Sequence, residues 1–444
     1  MSNQLTSYNP SNGEAVGTVE LTPTADLAAI VQRARVAQKK WRDVPVDEKV
    51  ALISRASALV EQQAEQLAVL LSKEMGKDIN RSRGEVYSSA TGAPAIAQQA
   101  QHALQAKKSH GTTIEYVPMG VVAVISPWNY PLMMAVNLMM PALIAGNTVV
   151  FKPSEETPLI AQAYIDLFNQ VLPQDVVQIV HGGKEQGQAL VDTGVNVVAF
   201  TGSQKAGKDI MKRASNTLTR LVMEMGGNDP MVVTADADIS AAAHFAVASS
   251  FENAGQMCIS TERIYVDEKV ANEFEQMVTA IASQYKIGPW DQAQVNIGPI
   301  INECQRNNVI AHIDDAVDKG ARVLLGGKDH PDYFINPTVI ADVTTDMKME
   351  QEETFGPVVS ISRYSDLEDA IERANDSKYG LGAVVFAGVD AAKIARRLEA
   401  GMVGINGGVG GGGDAPWVGA KQSGYGFHGS AEGHRQFAQV KVIS

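Results

Sequence analysis

Short apolar runs rich in β-branched residues recur along the middle of the chain and alternate with helical segments. The first series comprises five runs, at residues 121–125, 148–151, 176–180, 195–200 and 221–225. Helical spacers separate several of them, for example residues 159–172 and 186–191. This alternation predicts βαβ units, in which helices cover both faces of a parallel sheet.

A second alternating series begins near Met231. Its candidate strands and helices lie at residues 263–266, 358–364 and 383–386, and at residues 239–251, 271–285, 309–319 and 367–374. Gly226 and Gly227 stand between the series, so we expect two α/β units joined there. Helical spacing precedes both units at residues 26–77, while residues 98–113 have no clear period. The last fifteen or so residues predict a terminal strand, which a partner subunit is one way to cover.

Composition narrows the classes of function. A chain of 444 residues predicts two or three domains. Its net charge of −13 argues against a nucleic-acid partner or an anionic membrane surface. We see no signal-peptide pattern and no run of about 20 apolar residues, so no membrane span is expected. Two cysteines without a Cys-x-x-Cys spacing favour a reducing cytoplasm and give no sign of a zinc site.

One cysteine, Cys258, lies in the run Gly-Gln-Met-Cys-Ile-Ser after an alanine-rich helical stretch. A thiol there is a candidate nucleophile, because the thiolate form is reactive and its population depends on the surroundings. The commoner arrangement is a buried cysteine that packs as a small hydrophobe. Cys258 alone does not separate the two interpretations.

Polar residues follow three of the predicted strands, where ligands of α/β sheets bind. Asn129, in Ser-Pro-Trp-Asn-Tyr-Pro, is either a donor to a developing oxyanion or a turn residue. Lys152 and Glu155, in Phe-Lys-Pro-Ser-Glu, either bind ribose hydroxyls or form a solvated ion pair. Ser203, in Phe-Thr-Gly-Ser, either opens a helix whose free N–H groups bind an anion or caps an ordinary turn.

Two further acidic motifs lie at or near strand ends. Glu224, in Met-Glu-Met-Gly-Gly, is either a mobile base that activates water or a charged residue at a strand end. Glu353 and Phe355, in Glu-Glu-Thr-Phe-Gly-Pro, point to one side if the segment is extended, and would then bind a sugar hydroxyl and pack on a ring. The plainer interpretation is an acidic loop.

The chain also contains a literal Gly-x-Gly-x-x-Gly at residues 408–413. No βαβ unit surrounds it, and Asp-Ala-Pro-Trp rather than a helix follows it. We therefore predict a flexible loop at residues 407–413 and not a dinucleotide fingerprint.

In this order, the motifs resemble the NAD(P)-dependent aldehyde dehydrogenase superfamily over nearly the whole chain. The segments that carry the resemblance are Pro-Trp-Asn-Tyr-Pro, Phe-Lys-Pro-Ser-Glu, Phe-Thr-Gly-Ser, Glu-Met-Gly-Gly, Gly-Gln-Met-Cys, Glu-Glu-Thr-Phe-Gly-Pro and Lys-Gln-Ser-Gly-Tyr-Gly. The resemblance implies oxidation of an aldehyde to its acid. It also implies a Rossmann-like cofactor domain, an α/β catalytic domain and a small β oligomerisation arm.

The resemblance assigns a role to each motif. It makes Cys258 the nucleophile, Asn129 with the Cys258 backbone N–H the oxyanion hole, and Glu224 the base that hydrolyses the thioester. Lys152 and Glu155 would bind the adenine ribose. The remaining implied cofactor contacts are Ser126, Trp128, Ser154, Gly187, Ser203 at the pyrophosphate, Met225, Gly226, and Glu353 with Phe355 at the nicotinamide ribose.

Two glutamates refine the expected activity. A carboxylate at Glu155 accepts bonds from free ribose hydroxyls and repels a 2′-phosphate, so NAD is expected over NADP. Relatives that transfer the acyl group to coenzyme A lack the residue at Glu224, so the expected product is the free acid.

Substrate choice stays open because the chain departs from its family around the aldehyde channel. No Arg lies between Asn129 and Pro141, which lowers the alternative of a succinate-semialdehyde or other semialdehyde dehydrogenase. Asn137 stands where many relatives have an aromatic residue, and Trp417 is a candidate replacement. A noncatalytic structural or binding protein is the alternative of another class, and the complete catalytic set argues against it.

The resemblance also implies domain boundaries. Residues 1–100 and 118–226 would form the NAD-binding domain, residues 227–428 the catalytic domain, and residues 101–117 and 429–444 the oligomerisation arm. We expect a homodimer or homotetramer.

Overall fold

The computed structural model describes residues 4–327, 330–410 and 414–444. The strands of these residues are β1 (Gln4–Tyr8), β2 (Ala15–Glu20), β3 (Lys107–Ser109), β4 (Thr112–Pro118), β5 (Val121–Ile125), β6 (Thr148–Lys152), β7 (Val177–Ile179), β8 (Val197–Gly202), β9 (Arg220–Met225), β10 (Asp229–Val233), β11 (Thr261–Asp267), β12 (Arg322–Leu325), β13 (Thr338–Ala341), β14 (Val358–Tyr364), β15 (Gly382–Phe386), β16 (Met402–Ile405), β17 (Trp417–Val418), β18 (Gly424–Tyr425), β19 (Phe427–His428) and β20 (Ala438–Ile443).

The helices of the same residues are α1 (Leu27–Trp41), α2 (Val46–Gln62), α3 (Ala64–Met75), α4 (Ile79–Ala103), α5 (Pro131–Ile144), α6 (Pro158–Asn169), α7 (Lys184–Asp192), α8 (Gln204–Ala214), α9 (Ile239–Phe251), α10 (Glu268–Ala282), α11 (Glu303–Asp318), α12 (Lys348–Gln351), α13 (Leu367–Asn375), α14 (Ala391–Ala395) and α15 (Ser430–Arg435). Short 3₁₀ turns lie at Thr24–Asp26, Glu252–Gly255 and Lys421–Ser423. Among the described helices, none has both the length and the apolar content that a bilayer crossing requires.

Two large sheets confirm the α/β fold that the alternation predicts. The first has the order β18-β9-β8-β5-β6-β7, and only β18 runs antiparallel to its neighbour. The second has the order β12-β13-β14-β11-β10-β15-β16, with β12 antiparallel. β5 and β6 are buried at every residue, as expected of strands with helices on both faces.

The strand order of the first sheet reverses beside β5. The chain runs from β5 outward through β6 to β7, and then returns to the other side of β5 as β8. Such a switch point leaves a crevice beyond the carboxyl ends of the strands on either side, where ligands of open α/β sheets bind. The residues after β5, β8 and β9 are therefore placed to meet a ligand.

A third, antiparallel sheet has the order β20-β4-β3. β20 pairs with β4 from Ala438, opposite Pro118, to Ile443, opposite Thr113. The side chains of Val440, Val442 and Ile443 are exposed on this sheet.

Two expectations for the local structure need correction or completion. The last fifteen residues are not one strand, since α15 (Ser430–Arg435) precedes β20; His434 of this helix is buried, so the helix packs inward. The unassigned residues 98–113 contain the end of α4, then β3 and the first residues of β4. The predicted loop at residues 407–413 lies partly outside the described residues, at Gly411–Gly413.

Candidate active site

A cleft of about 400 Å³ lies between the two large sheets. The carboxyl-terminal ends of β5, β8 and β9 form one wall, and segments of the second α/β unit form the other. Its lining residues are Pro127, Trp128, Asn129, Tyr130, Met133, Met134, Thr201, Gly202, Ser203, Glu224, Met225, Gly226, Met257, Cys258, Gln305, Glu353, Phe355 and Trp417. The cleft therefore brings together residues from most of the motifs that the sequence singled out.

Cys258 and Glu224 lie in direct contact in this cleft. The thiol Sγ donates a hydrogen bond to Glu224 Oε1 at 3.1 Å, although 34 residues separate the two along the chain. Close backbone packing fixes this approach, because a Cβ placed on Gly227 would lie 2.3 Å from the Cys258 carbonyl oxygen. Only glycine at residue 227 allows β9 and the cysteine loop to come this near.

The surroundings of Cys258 favour the protonated thiol. Burial raises the pKa of Cys258 well above its usual range, and the negative charge of Glu224 raises it further. The resting pair is therefore a neutral thiol hydrogen-bonded to a carboxylate. Such a thiol needs a base to become a nucleophile, and Glu224 is already in place to act as one.

Asn129 is held at the edge of the cleft by its backbone and its side chain. Its carbonyl oxygen accepts a hydrogen bond from Lys77 Nζ at 2.8 Å, and Lys77 forms a fully buried ion pair with Glu85. Its side-chain Nδ2 donates to the Gln256 carbonyl at 3.0 Å. Because an amide nitrogen carries two hydrogens, one remains to face a ligand in the cleft.

Lys152 and Glu155 meet at the end of β6. Lys152 Nζ lies 3.4 Å from Glu155 Oε2 and also donates to the Pro153 carbonyl at 3.0 Å. The lysine side chain is 6% exposed and that of Glu155 is 46% exposed, so only the carboxylate is freely accessible. Burial lowers the pKa of Lys152, and the charge of Glu155 opposes that shift.

The neighbours of this pair leave room for a ligand. Gly187 of α7 faces the lysine stem, and a Cβ there would lie 3.9 Å from Lys152 Cδ. Ser154 is buried and accepts a hydrogen bond from the Glu156 backbone N–H. Ser126 is buried, and its Oγ has no hydrogen-bond partner among the described residues.

Ser203 is the N-cap of α8. Its Oγ accepts a hydrogen bond from the Ala206 backbone N–H at 3.3 Å. The hydroxyl hydrogen and the other N–H groups of the first turn remain available, and the helix dipole favours an anion there. Met225 lies at the end of the neighbouring strand β9, on the same wall of the cleft.

Glu353 belongs to the second α/β unit, and its side chain contacts the two glycines that follow β9 of the first. Its Oε1 accepts a hydrogen bond from the Gly227 N–H at 3.1 Å, and a Cβ on Gly226 would lie 2.2 Å from Oε2. Burial raises the pKa of Glu353 well above its usual range, and the charge of Glu262 adds to the effect.

Phe355 reaches the cleft by a different backbone geometry from the one expected. The segment is not extended, because Phe355 has φ of 55°. Glu262 explains this turn, since its two carboxylate oxygens accept hydrogen bonds from the N–H groups of Thr354 and Phe355. The Phe355 ring packs edge-on against Trp128, with ring centroids 5.6 Å apart.

His428 is a residue of this site that none of the sequence motifs predicted. Its Nε2 lies 3.1 Å from Glu224 Oε2, the oxygen that does not contact Cys258. The sequence signal was present, because His428 comes two residues after the Lys-Gln-Ser-Gly-Tyr-Gly motif. Met257 and Gln305 also line the cleft without having been predicted.

The aldehyde side of the cleft is apolar. Met133, Met134, Met257 and Trp417 contribute to it, whereas Asn137 does not. Among the described residues, the lining contains no Lys or Arg. A ligand with a distal carboxylate would therefore meet no cation in this part of the structure.

The fold and the cleft define a class of protein. It is an α/β protein in which the strand order reverses as in dinucleotide-binding sheets, and the cleft at that reversal holds a cysteine in contact with a glutamate. A sequence model of the aldehyde dehydrogenase family matches residues 1–443. The chain belongs to that family, and as a member it is an NAD(P)-dependent aldehyde dehydrogenase that acts on a small aldehyde.

Individual relatives agree on the family and differ in cofactor. A probable succinate-semialdehyde dehydrogenase [NADP(+)] from Sinorhizobium fredii is 36% identical over 98% of this chain and 91% of its own length. A succinate-semialdehyde dehydrogenase structure from Burkholderia pseudomallei aligns with a TM-score of 0.96 at 34% identity, covering 99% of this chain and 94% of that one. An NAD-dependent aldehyde dehydrogenase structure from Sinorhizobium meliloti aligns with a TM-score of 0.95 at 32% identity, covering 99% of this chain and 91% of that one.

Proposed function

We propose that this chain oxidises an aldehyde to the free carboxylic acid by covalent catalysis at Cys258. The observation that carries the proposal is the 3.1 Å hydrogen bond from the Cys258 thiol to Glu224 inside the interdomain cleft. Asn129 lines the same cleft with an amide hydrogen to spare. Together they form a nucleophile, its base and an oxyanion donor.

In the first half-reaction, Glu224 accepts the thiol proton and the sulfur attacks the aldehyde carbon. The developing oxyanion would be bound by the free Asn129 N–H and by the Cys258 backbone N–H. Removal of one such donor typically costs about 10²–10³ in rate. The thiol proton then leaves to solvent, which frees Glu224 for its second role.

Attack on the aldehyde gives a Cys258 thiohemiacetal, whose carbon–hydrogen bond would break with its electron pair leaving as hydride to a bound nicotinamide. In the second half-reaction, Cys258 carries the resulting acyl group as a thioester. Glu224 then takes a proton from water, whose oxygen attacks the acyl carbon and releases the acid and the thiolate. The presence of a carboxylate beside the sulfur supports hydrolysis over acyl transfer to another thiol.

The cofactor site that we propose fits a nicotinamide dinucleotide. Lys152 and Glu155 would hold the adenine ribose, Ser203 and the first turn of α8 the pyrophosphate, and Glu353 with Phe355 the nicotinamide ribose. Gly226, where a Cβ would lie 2.2 Å from Glu353 Oε2, lets that carboxylate lie against the wall of the cleft. The remaining proposed contacts are Ser126, Trp128, Ser154, Gly187 and Met225. The nicotinamide, when bound, supplies the two-electron acceptor for the oxidation.

We propose NAD over NADP, although several relatives are named for NADP(+). The support is Glu155, whose accessible carboxylate would repel a 2′-phosphate and whose charge already pairs with Lys152. Glu155→Gln is expected to raise kcat/KM for NADP relative to NAD by at least about tenfold, since about 1.4 kcal/mol of repulsion corresponds to that factor. Kinetics with both cofactors measure the ratio.

The control for this prediction is Glu185→Gln, which removes an equal charge from an exposed residue of α7. It is expected to leave the ratio unchanged. A wild-type enzyme that prefers NADP tenfold would overturn the proposed preference.

The apolar lining supports an uncharged aldehyde as the substrate. A second candidate is a semialdehyde, because relatives 36–38% identical are named as succinate-semialdehyde dehydrogenases. The test compares NADH formation with butanal and with succinate semialdehyde, which have the same carbon number and differ in the distal carboxylate. The proposal predicts a kcat/KM for butanal at least about tenfold higher, and a preference for succinate semialdehyde would refute it.

We also propose the division of the chain into three parts. The first large sheet supports an NAD-binding domain of residues 1–100 and 118–226, and the second supports a catalytic domain of residues 227–428. The β20-β4-β3 sheet supports an oligomerisation arm of residues 101–117 and 429–444, and with it a homodimer or homotetramer. The free thiol of Cys258 supports a cytoplasmic setting, where thiols stay reduced.

A further inference from the structure

We propose that His428 is a positioning residue for Glu224: it anchors one carboxylate oxygen while the other changes partner during the reaction. This inference rests on the proposed function, because it assigns Glu224 the role of base. It concerns a residue of the C-terminal segment, far along the chain from Cys258 and Asn129.

The contacts of the Glu224 carboxylate are divided between its two oxygens. Oε1 accepts the thiol hydrogen of Cys258 at 3.1 Å, and Oε2 lies 3.1 Å from His428 Nε2. The side chains of His428 and Glu224 are 6% and 4% exposed. A carboxylate so enclosed takes its orientation from protein partners, and an N–H donor to a carboxylate oxygen is among the stronger hydrogen bonds in proteins.

The histidine ring is itself held in place. His428 pairs with Trp417 across the β17–β19 ladder, and the two rings stack with centroids 6.3 Å apart and planes 18° from parallel. From the other side, α15 packs against the His428 backbone, since a Cβ on Gly433 would lie 2.8 Å from the His428 carbonyl carbon. The imidazole ring of His428 therefore has little freedom to move with the Glu224 carboxylate, and its Nε2 holds Oε2 in one position.

Another histidine nearby does not share this role. His434 of α15 is buried, and neither of its ring nitrogens has a hydrogen-bond partner among the described residues. Burial, with a smaller contribution from the neighbouring His428, lowers the pKa of His434 to about 4, so this histidine is neutral at pH 7. Within the described part of the chain, the histidine that contacts Glu224 is His428 of β19.

This arrangement separates the two roles of Glu224. Before the reaction, Oε1 is occupied by the thiol hydrogen. Once the sulfur carries the acyl group, that hydrogen is gone, and Oε1 is free to accept a proton from water. The water oxygen bonds to the acyl carbon, the carbon–sulfur bond breaks with its electron pair on sulfur, and the proton returns from Glu224 to the thiolate. Throughout, the Oε2–His428 contact keeps Oε1 directed at the sulfur.

Three substitutions of His428 test the proposal. Glutamine reaches as far as the imidazole Nε2, asparagine reaches only as far as Nδ1, and leucine provides no donor. We expect His428→Leu and His428→Asn to lower kcat by about 10–100-fold, the effect of losing one hydrogen bond to a charged group. His428→Gln should restore most of kcat. KM for the aldehyde should change little. The initial burst of NADH should persist, because the thiol itself contacts Oε1 before acylation, whereas hydrolysis has only His428 to direct that carboxylate.

His434→Leu is the matched control, because it replaces a buried histidine of the same segment that does not contact Glu224. It is expected to keep kcat within about twofold, well below the loss expected for a charged hydrogen bond. If His428→Leu fails to fold, the Gln and Asn pair decides the question, since both keep a polar amide at that position.

The outcomes separate this inference from the proposed function. Wild-type kcat in His428→Leu, or equal loss in the Gln and Asn variants, overturns the positioning role. Glu224→Gln with unimpaired turnover would overturn the proposed function and this inference with it. Stalled turnover in Glu224→Gln together with normal turnover in His428→Asn would overturn this inference alone.

Discussion

At the scale of single residues, the chemistry depends on a thiol that is protonated at rest. Burial and the charge of Glu224 both raise the pKa of Cys258, so Glu224 at first suppresses the thiolate that it later helps to form. This arrangement protects the cysteine from adventitious oxidation and alkylation while no aldehyde is bound, because the thiolate is the reactive form.

The raised pKa predicts how Cys258 alkylation depends on pH. Below its pKa the thiolate fraction grows about tenfold per pH unit, so the rate with iodoacetamide should still rise through pH 9. Glu224→Gln removes the negative charge, and its rate should level off at a lower pH. Alkylation rates in a Cys304→Ser background isolate Cys258, because Cys304 is exposed. An unchanged profile in the glutamine variant would show that Glu224 does not influence the thiol.

The resemblance of its motifs to a known family predicted part of this site, although each motif alone left its role open. Cys258, Glu224 and Asn129 carry recognisable motifs, and the cleft brings them together. His428 was not predicted from the sequence. Its position depends on a two-residue strand pairing with Trp417, and so short a pairing has no periodic pattern in the sequence. The turn at Phe355 escaped because it is imposed by Glu262, which is more than 90 residues away.

At the scale of elements, a buried ion pair supports the wall that carries Asn129. Lys77, just before α4, pairs with Glu85 of α4 at 2.5 Å with both side chains fully buried. Glu85 Oε1 also accepts the Leu132 N–H in the first turn of α5. The pair therefore connects the start of α4, the start of α5 and the Asn129 carbonyl.

Loss of one partner should destabilise the fold strongly. Glu85→Ala leaves Lys77 as an unpaired buried cation, and we expect a loss of about 3–5 kcal/mol in the free energy of unfolding. Urea denaturation measures it. Glu65→Ala, which breaks the exposed Glu65–Arg83 pair, is the control and should leave the midpoint nearly unchanged. Equal midpoints for the two variants would contradict the structural role of the buried pair.

The sequence predicted the strands and helices that have a strong apolar pattern. It did not predict those whose buried face is polar or built from small residues. The run at residues 121–125 coincides with β5, because a fully buried strand needs unbroken apolar sequence. The run at residues 358–364 coincides with β14, which alternates apolar and polar residues over most of its length. The prediction of a strand over α15 was wrong. The six residues of this helix are polar or small and show no apolar period, although His434 is buried. The 25-residue helix α4 has an alanine-rich inner face that lacks the large apolar residues on which periodicity depends.

At the scale of the whole molecule, the β20-β4-β3 sheet is the candidate site of assembly. Val442, opposite Ile114 in β4, is 61% exposed, and β20 is an edge strand in the described chain. An edge strand with exposed apolar side chains is a ready template for pairing with another chain. The β20–β4 pair joins the C-terminal strand to the segment that leads into β5. Assembly through this sheet would therefore stabilise the proposed cofactor domain.

Disruption of this surface should dissociate the assembly. Val442→Lys is expected to reduce the mass measured by light scattering from a multiple of 47.4 kDa to the mass of one chain. Val389→Lys, at an exposed apolar residue outside the arm, should leave the mass unchanged. A wild-type protein that is already monomeric would contradict the proposed arm.

The central claim is that Cys258 carries the acyl group and Glu224 directs its hydrolysis. Intact-mass analysis of Glu224→Gln, quenched after mixing with NAD and an accepted aldehyde, tests both parts. The expected result is one acyl group per chain, because the glutamine no longer opposes loss of the thiol proton to solvent but cannot activate water. The group should be attached to Cys258 and absent when Cys258→Ser is added. An unmodified cysteine with normal steady-state turnover in Glu224→Gln would contradict the account.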